Sequence, residues 1–146
     1  MRNFGPQLFF FLLLVVAAIT LACGSSAHIP QSVSVTPATA DAQSFPGGAV
    51  QFTTTVSYNT KPSPVKGVTA SWTACSQQAS PANLVSISTT GVAKCLSGAS
   101  GTYGIYAFVP DPTFRGVCAA ANVPVGTQPC GGGCGGVVGS AQLICP

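Results

Sequence analysis

Seven short stretches of this chain alternate apolar with hydroxyl or small residues, and no segment after Gly24 sustains a helical period. They are "SVSVTP" from Ser32, "AVQFTTTVSY" from Ala49, "VTASWTA" from Val68, "LVSIS" from Leu84, "GVAKCL" from Gly91, "TYGIYAFV" from Thr102 and "SAQLIC" from Ser140. A period of two puts neighbouring side chains on opposite faces of a strand, so each run has one face to bury. Between the runs lie "SPAN", "TTG", "SGASG" and a long glycine-rich stretch, all rich in residues that turn a chain. The pattern predicts an all-β chain, a sandwich or barrel of about seven strands.

The N-terminus reads as an export signal over residues 1–22. "MRNFGPQ" carries one Arg and no acid, and the apolar run that follows, Leu8 to Ala22, is shorter than the roughly 20 residues of a spanning helix. Directly after it, "ITLACGSS" sets Cys23 behind small Ala22 and ahead of Gly24, Ser25 and Ser26. This stretch resembles the lipobox of bacterial lipoproteins, although Thr20 stands where Leu is usual. The resemblance implies cleavage before Cys23 and attachment of acyl chains to it, hence a membrane partner through an N-terminal lipid. Gly24 is not the Asp associated with inner-membrane retention, so an outer membrane is the expected address where the cell has two. Residues 23–32, "CGSSAHIPQS", then read as lipidated cysteine plus flexible tether.

From Cys23 onward the charges are Lys61, Lys66, Lys94 and Arg115 against Asp41 and Asp111. Scattered charge of this kind forms no basic face for nucleic acid. General acid–base chemistry usually needs a histidine or paired carboxylates. Here the only histidine is His28, in the tether, and Asp41 and Asp111 are the only acids. A non-catalytic chain with no cofactor and no metal is therefore expected. The alternative is a small exported enzyme or envelope assembly factor whose site the residue types do not reveal.

The successive segments from Ser32 to Val109, with "GSAQLIC" at the end, resemble the strands of a group-2 bacterial immunoglobulin-like (Big) domain. The segment "VSISTTGVAKCLSGASGTYGIYA" carries most of the likeness: strand, glycine turn, strand, small-residue turn, then Gly-Thr opening the next strand. The resemblance implies an immunoglobulin-like sandwich over 33–146, with a Cys/Gly-rich insertion at about 110–138 before the last strand. It also implies a binding, adhesion or envelope-structure role, with a protein or carbohydrate ligand at that insertion. In such a core Trp72, Phe52, Val56, Ile87, Ile105 and Ala107 should face inward, with Tyr103 near them. Stacking of an exposed Trp72 on a sugar is the sharper alternative.

Seven cysteines leave one unpaired in an exported protein, and lipidation of Cys23 would leave six to pair. In an immunoglobulin-like sandwich the strands bearing "SWTAC" and "GVAKC" should end at one pole, which favours Cys75 with Cys95. A nested arrangement about the glycines of "CGGGCGG" favours Cys118 with Cys145 and Cys130 with Cys134. It competes with Cys118–Cys130 plus Cys134–Cys145, with strand pairing that bypasses the insertion altogether, and with zinc held by free thiolates. The glycines lead into a strand without a Lys, which argues against a phosphate loop.

Overall fold

A computed structural model describes residues 27–76, 82–116, 130 and 134–146. Ten strands form among the described residues: β1 (Pro30–Thr36), β2 (Thr39–Asp41), β3 (Ala49–Gln51), β4 (Thr53–Tyr58), β5 (Val65–Lys66), β6 (Ser71–Cys75), β7 (Val85–Ile87), β8 (Val92–Cys95), β9 (Gly101–Pro110) and β10 (Gly136–Cys145). The only helical elements among them are two single 3-10 turns, Ala42–Ser44 and Pro46–Gly48. The all-β sandwich expected from the alternating runs is the fold of the chain.

Its topology follows from two interruptions. Pro37 and Ala38 separate β1 from β2, and the chain changes partner there: β1 pairs antiparallel with β4, while β2 pairs parallel with β10. A proline has no N–H to give to a ladder, which suits a point where one pairing ends. Phe52 alone separates β3 from β4, and its N–H donates to the Gly91 carbonyl at 2.9 Å. With β3 and β4 taken as one interrupted strand, the two layers are β1–β3/β4–β8–β7 and β2–β10–β9–β6. That is the strand order of an immunoglobulin-type sandwich, with the Cys/Gly-rich segment inserted before the last strand. About seven strands become ten because two are split and short β5 is added alongside β4.

Both layers send alternate residues into one core. Val50, Phe52, Val56 and Ala93 come from the first layer, and Ile105, Ala107 and Leu143 from the second, each 0 % exposed. Phe52, Val56, Ile105, Ala107 and Tyr103 are buried as the alternation predicts, and half-buried Ile87 packs against them. Trp72 differs: it packs against this core but is only half-buried, so the middle is filled by Phe52, Ile105 and Leu143 instead. At Gly139 the layers come so close that a Cβ would lie 2.8 Å from the Val33 carbonyl oxygen. Glycine is what lets β1 cross β10 at that point.

The folded part also starts earlier than the sequence implies. Asn59 Oδ1 accepts from the Ile29 N–H at 2.8 Å, and Asn59 Nδ2 donates to the Ala27 carbonyl at 3.1 Å. The His28 ring stacks on Tyr58 with centroids 3.8 Å apart. Residues 27–32, expected in the tether, are thus bound to the end of β4 or form the start of β1.

Candidate functional site: the insertion root and the tryptophan groove

β9 and β10 are ten residues each and pair along their whole length, from Gly101 opposite Cys145 to Pro110 opposite Gly136. The insertion leaves from the Pro110 end of this ribbon. Its root is closed by the Asp111 N–H donating to the Gly135 carbonyl at 2.8 Å. Asp111 Oδ1 then accepts from both the backbone N–H and the hydroxyl of Thr113, at 2.8 and 2.7 Å. These two bonds hold the Asp111 carboxyl below its ordinary pKa, because they favour the ionised form. The Phe114 ring lies over Gly135, where a Cβ would come within 2.5 Å of it.

Disulfide pairing departs from the expected scheme. Cys75 bonds to Cys130, and Cys95 bonds to Cys145, so Cys75–Cys95, Cys118–Cys145 and Cys130–Cys134 are all excluded. Cys134 is disulfide-bonded as well. Cys118, like the lipidation candidate Cys23, lies outside the described residues. The reason for the departure is the face each cysteine occupies. Ala74 belongs to the core, so its neighbour Cys75 points to the outer side of the second layer. Ala93 and Leu143 are core residues two positions before Cys95 and Cys145, so those two sulfurs meet between the layers. A cysteine on the outer side of a layer cannot reach one held between the layers, even where their strands end near one pole.

"CGGGCGG" therefore belongs to a disulfide-secured segment. Cys130 is fastened to the outer side of β6, and a sulfur in a disulfide is no zinc thiolate. Among the described residues no group of three or more His, Cys, Asp or Glu side chains is placed to hold a metal ion. The groups considered for catalysis are engaged in local structural hydrogen bonds. Asp41 Oδ1 accepts from the Gln43 N–H at 2.9 Å and caps the first 3-10 turn, Asp111 caps its own turn, and His28 shares a hydrogen bond with Thr60 Oγ1 at 2.9 Å.

A second feature surrounds Trp72, the residue for which stacking on a sugar is the sharper alternative. Trp72 lines a groove of about 470 Å³ together with Gln51, Thr53, Thr69, Thr89 and Thr90. Strand β5 is only two residues long, and residues 67–70 run on past Thr54, whose hydroxyl donates to the Val68 carbonyl at 2.6 Å. The groove opens beside this segment. Gly91, with φ +84°, sits against the indole so closely that a Cβ would be 2.8 Å from Cζ2 and 2.6 Å from the Phe52 carbonyl oxygen. The only sequence sign was the lone Trp beside a Thr-rich strand, and its partners come from three separate segments.

No protein-family model and no curated protein matches the chain. The structural disulfides identify a protein of a non-cytoplasmic, oxidising compartment. No helix among the described residues is long and apolar enough to cross a membrane.

Proposed function

We propose that this chain is a non-catalytic, lipid-anchored immunoglobulin-like module of a bacterial cell envelope that presents its 110–138 insertion to a partner. The Cys75–Cys130 bond carries this reading, because it fastens the insertion to the rigid face of β6. Loops held on a sandwich in this way are frequent binding sites, since the scaffold limits the entropy lost on capture. The strand order supports the likeness to Big domains. The lipobox-like "ITLAC" supports anchoring at Cys23, with Gly24 favouring an outer membrane where there is one.

Two experiments test this. Cys23→Ser should shift the protein from the membrane fraction to the soluble fraction or leave it uncleaved, because two or three acyl chains anchor stably and none does not. A mature wild-type protein found wholly soluble defeats the anchor. Alanine substitutions across 110–138 should abolish adhesion to cells or envelope fractions while leaving the thermal transition in place. Unchanged adhesion for every substitution removes the insertion from the binding role.

A further inference from the structure

We propose that the Trp72 groove, whose described lining residues all lie outside the 110–138 insertion, is a binding subsite for a neutral oligosaccharide. The observation is a fixed aromatic side chain within a frame of uncharged hydrogen-bonding groups. Trp72 is held by Gly91, which fits against its six-membered ring only because it lacks a Cβ. Gln51 is held as firmly: its Nε2 donates to the Phe52 carbonyl at 2.7 Å and to the Thr90 carbonyl at 2.8 Å. Both amide protons are used, so Oε1 is left as a positioned acceptor. Thr53, Thr69 and Thr89 are exposed along the same groove, each with a hydroxyl able to donate and accept.

The chemistry of this frame selects its ligand. None of the described residues that line the groove is charged, so an anionic or cationic ligand would lose its hydration without a counter-charge. A purely apolar ligand would strand the Gln51 acceptor and the hydroxyls. A pyranose matches both halves: its C–H face stacks on an indole, and its hydroxyls exchange hydrogen bonds with Thr and Gln. The volume lies within the range of small-molecule sites.

Because Trp72 is the only tryptophan, its emission reports this groove alone. The mature, oxidised protein would be titrated with cellotetraose, maltotetraose and tetra-N-acetylchitotetraose, and with dextran sulfate as the anionic probe. A saturable emission change with at least one neutral probe is expected, weakened about tenfold by Gln51→Ala and by Thr89→Ala. Thr89 is exposed, so that variant should keep the wild-type thermal transition, which separates lost binding from lost folding. Trp72→Phe, followed by calorimetry, should bind more weakly than wild type. Absence of saturation with all three neutral probes, saturation by dextran sulfate alone, or binding indifferent to both Gln51→Ala and Thr89→Ala overturns the proposal. None of these results bears on the insertion, whose adhesion test is separate.

Discussion

Cys95–Cys145 and Cys75–Cys130 close loops of similar length, with sequence separations of 50 and 55, yet they serve different parts of the molecule. The first lies between the layers and joins β8 to the end of β10. The second, with Cys75 buried at 1 % exposure but outside the main core cluster, joins β6 to the insertion. A chain-entropy account that sees only loop length would give each about 4 kcal/mol. The folded side of the balance separates them. Once Cys95–Cys145 is cut, the layers stay packed and recover little freedom. An insertion released from β6 can regain conformational entropy in the folded state, which offsets part of the loss.

The largest effect should therefore come from replacing Cys95 and Cys145 together with Ala, at about 4 kcal/mol in denaturant unfolding. Replacing Cys75 and Cys130 together should cost about 2 kcal/mol, with a sharp rise in protease cleavage within 110–138. Equal losses for the two pairs, with no change in cleavage, would break the contrast between body and insertion. Gly91→Ala tests the body alone: a positive φ and a collision with the Phe52 carbonyl predict a loss of about 2 kcal/mol. It should also change Trp72 emission, while cleavage in the insertion stays as in wild type.

The smallest effect concerns the insertion root and pH. Asp111 has its folded pKa depressed by the Thr113 bonds, so their contribution is present above the unfolded carboxylate pKa and fades as pH falls through the lower folded value. Faster exchange of the Thr113 amide should appear only below the usual carboxylate range, and Asp111→Ala should show it at neutral pH. An unaltered Thr113 amide in Asp111→Ala would mean the root is held by the β9–β10 ribbon alone.

The contrast also shows what the sequence could disclose. Alternation marked the main strand runs, and Phe52, Val56, Ile105, Ala107 and Tyr103 are buried as it implies, because burial on one face is written directly into a period of two. The same alternation already held the disulfide answer. With Ala74 facing inward, Cys75 must face outward, and with Ala93 and Leu143 facing inward, Cys95 and Cys145 must face each other's layer. Strands that end at one pole can still direct their last side chains to opposite sides of a layer. The Trp72 groove was less legible, since Gln51, Thr69 and Thr89 come from segments far apart in sequence and only the fold joins them. The Asn59 clamp on Ala27 and Ile29 was hidden for a similar reason, as nothing local marks an amide that bonds across thirty positions.

The interleaved order of the bridged cysteines, 75, 95, 130 and 145, has a mechanical consequence. Suppose tension is applied between the N-terminal segment and the insertion, as on a tethered molecule whose far end is gripped. Strands from Ala27 to Cys75 can peel away, but at Cys75 the load passes straight through sulfur to Cys130. Roughly 50 residues can then lengthen, at most about 170 Å of contour, before a covalent stop. Once that stop is reached, the covalent path from Cys75 to Cys130 bypasses β7, β8 and β9, which then carry no tension. The molecule is in effect an extensible spring with a hard limit, and a reducing agent would remove the limit.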